Sequence, residues 1–98
     1  MLLMVAVVIA GATAMAAGRA GSTVTARQRA GTVAESVVAG VAADRVRGLD
    51  AATAIARGRD LAARNSASVL GIVEVDGRIE VRIVRAGALG TARARLEW

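Results

Sequence analysis

The sequence predicts an α+β fold with a long or transmembrane N-terminal helix, a second short helix and a three-stranded antiparallel sheet. The first 18 residues carry no charge, whereas the 13 basic residues are all arginines that begin at Arg19. Apolar residues then recur at helical spacing as far as Asn65. After Asn65 the period changes to two, and the pair Asp76-Gly77 stands between two aliphatic runs.

The uncharged segment, residues 1–18, is interpreted as a transmembrane or export helix. As a helix it would be about 27 Å long, which is close to the hydrocarbon thickness of about 30 Å. A cleaved signal peptide is the other interpretation, because Ala12-Thr13-Ala14 would suit a cleavage site. We favour the anchor, because the segment lacks the basic n-region that secretory signals normally carry.

Small residues in this segment recur every four positions and define a candidate helix-packing face. They are Ala6, Ala10, Ala14 and Gly18. Such a stripe lets a second membrane helix approach closely, and it is compatible with a homo-oligomer. The alternative is chance, since alanine is abundant throughout the chain.

Residues 19–98 are predicted to form one small α+β head domain that begins with two helices. The first helix covers about 23–47, and the second about 51–64. Between them, Gly48 is expected to end the first helix and Asp50 to cap the second. The expected buried stripe of the first helix consists of Ala26, Ala30, Val33, Val37 and Val41, flanked by Ala34, Val38 and Ala42. The expected apolar side of the second consists of Ala51, Ile55, Leu61 and Ala62.

Three strands are predicted at about 69–75, 78–84 and 91–97. Asp76-Gly77 is the sequence signal of a two-residue type I′ hairpin, because both positions of that turn need positive φ. Residues 86–90 are expected to form a loop. The face of the hairpin expected to be buried carries Leu70, Ile72, Ile79, Val81 and Ile83, and one side of the third strand carries Ala92, Ala94, Leu96 and Trp98. The face expected to be exposed carries Arg78, Glu80, Arg82, Arg93, Arg95 and Glu97.

Four segments of the chain resemble TadE-like proteins, and most closely the short actinobacterial group called helicase/secretion neighbourhood TadE-like. The segments are residues 24–30 (VTARQRA) with the alanine-rich stretch around Glu35, the helix end at residues 62–65 (AARN), the Asp-Gly hairpin, and residues 91–95 (TARAR). The resemblance covers nearly the whole chain and depends on pattern and element order.

The resemblance implies a non-enzymatic, pilin-like or pseudopilin-like component of a tight-adherence (Flp/Tad) pilus, which serves cell adhesion, or of a related secretion system. It implies a single-pass protein of the cell membrane with an extracytoplasmic head. Its expected partners are membrane lipid, other pilin-like subunits and secretion-system membrane proteins. Members often carry a cysteine pair where this chain has Ala51-Ala52 and Gly71. The arginines after residue 18 would, by the positive-inside rule alone, put the head in the cytoplasm.

Composition offers no support for catalysis, a cofactor or a metal site. The chain has no His, Cys or Lys, so the usual activators of a nucleophile and the usual transition-metal ligands are missing. The alternative function is a small soluble basic module for an anionic partner such as nucleic acid, because the net charge is +5. Nucleic acid is not favoured, since Trp98 is the only aromatic residue available for base stacking. Lipid headgroups near Arg19, Arg27 and Arg29 are the other anionic candidates.

Overall fold

The structure is a computed structural model that describes residues 4–8 and 20–97. Two helices and four strands make an α+β arrangement, and the sheet is antiparallel with strand order β1-β4-β3-β2. The elements are β1 (Met4–Val8), α1 (Ala20–Val46), α2 (Ala51–Arg64), β2 (Ser68–Val75), β3 (Arg78–Arg85) and β4 (Ala88–Glu97). The two head-domain helices and the three antiparallel strands that the sequence predicts are therefore confirmed.

The N-terminal helix predicted over residues 1–18 is wrong for the part of it that the structure describes. Met4–Val8 form β1, which pairs antiparallel with β4. The segment reads MVAVV, and its three β-branched valines favour an extended backbone. The outer edge of β4 also offers backbone groups that a fourth strand can pair. Residues 1–3 and 9–18 of the prediction lie outside the described residues.

No helix among the described residues is both long enough and apolar enough to cross a membrane. The longest, α1, has 27 residues, and it carries arginines and a glutamate along its length.

Helix α1 buries the stripe that the sequence predicts for it, except that Ala26 is only partly buried. Its fully or nearly fully buried residues are Ala30, Val33, Ala34, Val37, Val38, Val41 and Ala42. The helix ends in a Schellman motif, in which the Gly48 amide donates to the Arg45 carbonyl and the Leu49 amide to the Asp44 carbonyl, both at 3.0 Å. Gly48 has φ of 99°, which explains why glycine stands there.

Helix α2 has the predicted bounds, but only Ala62 of its predicted apolar side is fully buried. Ala54, Gly58 and Ala62 are its buried residues, whereas Ile55 and Leu61 are half-buried. Gly58 explains the difference, because a Cβ there would lie 2.6 Å from a methyl group of Val41. The helices thus approach most closely along the 54/58/62 stripe. Asp50 occupies the N-cap position, although its side chain makes no capping hydrogen bond.

The hairpin between β2 and β3 has the predicted turn. Asp76 and Gly77 have φ of 50° and 73°, and Val75 lies opposite Arg78. The prediction that Leu70 is buried is wrong. A β-bulge shifts the register between Val69 and Gly71, so Val69 lies opposite buried Ile83 and Leu70 is 61% exposed.

A second two-residue turn replaces most of the loop predicted at residues 86–90. Ala86 and Gly87 have φ of 52° and 78°, and β4 begins directly after them at Ala88. Alanine is unfavourable at positive φ by about 1–2 kcal/mol, so Ala-Gly is a weak turn signal in sequence. The continuous pairing of β3 with β4 compensates for that cost here.

The core lies between α1 and the sheet, and it is built from small aliphatic side chains. Alanines of α1 face alanines of β4, while Ile79, Val81 and Ile83 supply the bulk on β3. The closest approach is at Gly90, where a Cβ would lie 2.3 Å from the carbonyl oxygen of Ala30. Backbone therefore packs on backbone at this point, and no larger residue fits.

Gly90→Ala should destabilise the fold by about 3 kcal/mol, because its methyl group must displace the backbone of α1. Gly31→Ala is the matched control, since nothing lies within 4 Å of the added Cβ and alanine favours a helix by about 1 kcal/mol. Chemical denaturation followed by circular dichroism measures both. Equal stability of Gly90→Ala and the unchanged chain would contradict the close packing of α1 on β4.

Candidate interaction face of the sheet

The side of the sheet that faces away from the helices carries a cluster of arginines. Residues alternate along each strand, so the side chains between buried Ile79, Val81 and Ile83 point outward. We call this surface the arginine face; it consists of Arg78, Glu80 and Arg82 on β3 with Arg93 and Arg95 on β4. The sequence prediction that these five residues share the exposed face is confirmed, whereas the side chain of Glu97, predicted on the same face, is not among those that the structure describes.

One glutamate only partly neutralises the arginine face. Glu80 accepts a hydrogen bond from Nε of Arg93 at 3.0 Å and lies 3.7 Å from Nε of Arg82. Arg78 lies directly opposite Arg95, and neither forms an ion pair with another described residue. Like charges placed opposite each other destabilise a sheet. Counted over its described side chains, the face therefore holds a surplus of three positive charges in an arrangement that the fold itself does not favour.

An aliphatic edge borders the arginine face along the outer strand β2. We define the aliphatic edge as Leu70, Val73 and Val75, which are 61%, 55% and 55% exposed. A shallow groove of about 340 Å³ lies between the two valines and the charged side chains of Arg78, Glu80 and Arg93. The hairpin register predicts outward valines at these positions, and the exposure of Leu70 follows only from the bulge.

The candidate helix-packing face is not assembled where the structure describes it. Ala6 lies in β1 opposite Arg95, so it is not part of a helical stripe there. In β1, successive side chains point to opposite faces of the sheet, so residues four positions apart do not form a helical stripe. Ala10, Ala14 and Gly18 lie outside the described residues.

The arginines proposed for lipid headgroups on the first helix are only partly described. Arg29 is exposed and Arg27 is half-buried on α1, near the end that leads to the uncharged segment. Arg19 lies outside the described residues. Neither of the two described arginines lies on the arginine face of the sheet.

A buried carboxylate joins the two helices. Asp44 on α1 is 4% exposed and forms ion pairs with Arg47 one turn later and with Nε of Arg57 on α2 at 2.8 Å. Its partner at helical spacing is predictable from sequence, whereas the contact with Arg57 depends on how the helices pack. Because Asp44 has two positive partners, this cluster is explained as a structural link between α1 and α2.

A second ion pair joins the end of α1 to β2. Arg45 donates to both carboxylate oxygens of Glu74, at 2.7 and 3.2 Å, and to the Leu49 carbonyl at 2.8 Å. This hydrogen bonding holds the pKa of Glu74 below its ordinary value of 4.5, although partial burial acts in the opposite direction. The pair fixes β2, and with it the aliphatic edge, against the helices.

Among the described residues, no group of three His, Cys, Asp or Glu side chains is placed to hold a metal ion. The serines in this part of the chain have no histidine or lysine near them, since the sequence contains neither. What the described surface offers chemically is positive charge beside exposed aliphatic groups.

Comparison with known proteins does not decide the family. No protein-family model matches the chain, and no curated protein or solved structure shows significant similarity to it. The resemblance to TadE-like proteins therefore stays a prediction. The function has to be inferred from the residues and the fold.

Glu74→Gln should lower stability near neutral pH and have little effect in acid. A carboxyl whose folded pKa is lowered stabilises the fold above its unfolded pKa, near 4.5, and this contribution is lost as the pH falls through the folded value. The free energy of unfolding of the unchanged chain should therefore approach that of Glu74→Gln as the pH drops below about 4.5. Arg45→Gln is the control, and it should remove the same pH dependence. A constant difference between the two chains across this range would contradict the ion pair.

Proposed function

We propose that this chain is a non-enzymatic, pilin-like or pseudopilin-like component of a tight-adherence (Flp/Tad) pilus or a related secretion system. The uncharged segment, residues 1–18, would hold it in the cell membrane as a single-pass protein with an extracytoplasmic head. Its partners would be lipid, other pilin-like subunits and membrane proteins of the same machine. The resemblance to TadE-like proteins and the charge-free start of the chain support this proposal.

The single observation that carries the proposal is the position of α1. This helix follows the uncharged segment, is about 40 Å long, and packs on the core from Ala26 to Ala42. Val24 is 46% exposed, and the first buried residue of α1 among those described is Ala30. Ala26 is already partly buried against the core, so only the start of α1 is available as a connection between an anchor and a head.

The proposal requires that Met4–Val8 leave the sheet when the chain enters a membrane. The same five residues cannot pair with β4 and lie in lipid, so the two placements exclude each other. A five-residue edge strand is hydrogen-bonded to a neighbouring strand on one side only. In a membrane-spanning helix, each valine, leucine or isoleucine near the centre favours the bilayer by about 0.3–0.6 kcal/mol. Met4–Val8 would therefore form strand β1 in water and part of a helix in lipid.

The second candidate function is a small soluble basic module that binds an anionic partner such as nucleic acid. The arginine face favours it, because four arginines of two adjacent strands, Arg78, Arg82, Arg93 and Arg95, lie on one side of the sheet. Aromatic platforms for base stacking are missing, since Trp98 is the only aromatic residue of the chain. Salt-sensitive retention of duplex DNA by the purified chain would support this alternative. No retention at low salt would exclude it.

Ile9→Arg combined with Ala10→Arg should release the chain from membranes. Each arginine at the centre of a spanning helix costs about 2.5–3.5 kcal/mol, so the pair should shift most of the protein into the soluble fraction. Gln28→Arg is the control, because it adds charge on the exposed surface of α1 and should leave the protein in the membrane fraction. The measurement is carbonate-resistant membrane sedimentation of cells that express each chain. Recovery of the unchanged chain in the soluble fraction would contradict the anchor.

Gene order offers an independent check of the pilus assignment. A secretion ATPase and two multi-pass membrane proteins encoded beside this chain would support it. An anchored chain whose neighbours include no such genes would point to a membrane protein of another kind.

A further inference from the structure

We infer that the arginine face and the aliphatic edge together form a docking site for the surface of an anionic bilayer. The arginines would contact lipid phosphates, and the aliphatic edge would enter the boundary between headgroups and acyl chains. This inference goes beyond the proposed function, because it assigns a lipid contact to the sheet of the head and does not depend on residues 1–18.

The geometry of the charges suits a surface of phosphates. Side chains on one face of a strand are about 7 Å apart, and neighbouring strands about 5 Å apart, so the four arginine side chains start from one nearly planar patch. Arg78 and Arg95 lie opposite each other and form no ion pair with another described residue. A phosphate between them would relieve the repulsion and accept hydrogen bonds from both guanidinium groups.

The aliphatic edge decides between lipid and nucleic acid. Leu70, Val73 and Val75 are each more than half exposed, and the two valines line the groove beside Arg78. A nucleic acid backbone would satisfy the arginines but give the valines no apolar partner. The headgroup boundary of a bilayer accepts both kinds of side chain, because cationic groups meet phosphates there while aliphatic groups reach the acyl chains.

A second copy of the chain does not fit this surface by charge. The chain has eight carboxylates, and Asp44, Asp60, Glu74 and Glu80 already form ion pairs with its own arginines. The remaining acidic residues are Glu35 on α1, Asp50 and Asp76 in two connecting segments, and Glu97 on β4, so they lie on separate elements. Self-association through this face would therefore leave most of its positive charge uncompensated.

The test uses the absence of native cysteine, which lets one introduced thiol report on one position. The full chain carrying Val73→Cys is labelled with the environment-sensitive dye nitrobenzoxadiazole and mixed with vesicles. Ala56→Cys, an exposed position on α2, is the matched control. Vesicles contain either phosphatidylcholine alone or equal parts of phosphatidylcholine and phosphatidylglycerol. The readouts are the emission wavelength and the partition coefficient from co-sedimentation.

Docking predicts a blue shift at Val73→Cys, and none at Ala56→Cys, only when phosphatidylglycerol is present. The shift should disappear at about 1 M salt, where the Debye length falls to about 3 Å. Adding Arg78→Gln, Arg82→Gln and Arg95→Gln should lower the phosphatidylglycerol-dependent gain in partitioning about 100-fold, at about fivefold per arginine. Ala52→Glu, Arg59→Gln and Arg64→Gln lower the net charge by the same amount at exposed positions of α2 and should retain most of the gain.

Three results would overturn the docking site. They are a dye at Val73→Cys that stays in water with phosphatidylglycerol vesicles, an equal loss with both triple variants, and a blue shift that duplex DNA produces and vesicles do not. If the variant lacking Arg78, Arg82 and Arg95 does not fold, the chain that keeps these arginines still tests the docking site. Its blue shift must require phosphatidylglycerol and must disappear at high salt. Partitioning into phosphatidylcholine alone reports on residues 1–18, so failure of the anchor and failure of the docking site are distinguishable.

Discussion

The contact between the backbone of α1 and Gly90 of β4 constrains the rest of the fold. A chain with one aromatic residue cannot fill a wide gap between a helix and a sheet, so the two layers must approach closely. Alanine at position 30 and glycine at position 90 allow that approach, because a single added Cβ would lie 2.3 Å from a carbonyl oxygen. Stability therefore depends on small residues at defined positions more than on large buried side chains.

Close packing of both helices on the same side leaves the opposite side of the sheet open. Gly58 repeats the arrangement between α2 and α1, and the Arg45–Glu74 pair holds β2 in line with them. The uncovered side can then carry charges that no core would tolerate. Four arginines and Glu80 lie on this side next to exposed valines, which is the basis for the proposed anionic, partly apolar partner.

Most of the fold follows from local patterns, and the exceptions have physical causes. The helical stripe of α1 and the alternation of β3 identify the core and the arginine face because each depends on residues close in sequence. The burial of Leu70 was predicted wrongly because a bulge changes register without a sequence signal, and Ala86-Gly87 is a weak turn signal. Met4–Val8 suit both a strand and a membrane helix, so their placement depends on the surroundings. The contact of Arg57 with Asp44 required the packing of two helices.

In the proposed function, the N-terminal segment exchanges the edge of β4 for lipid. Hydrogen–deuterium exchange of the full chain, measured in buffer and in bilayer nanodiscs, tests it most directly. We expect the β4 amides paired with β1 to lose protection from exchange in nanodiscs, while those paired with β3 keep it. The amides of residues 1–18 should become protected by lipid. Unchanged protection of the β1–β4 pairing in membrane-bound protein would contradict this exchange of the β4 edge for lipid.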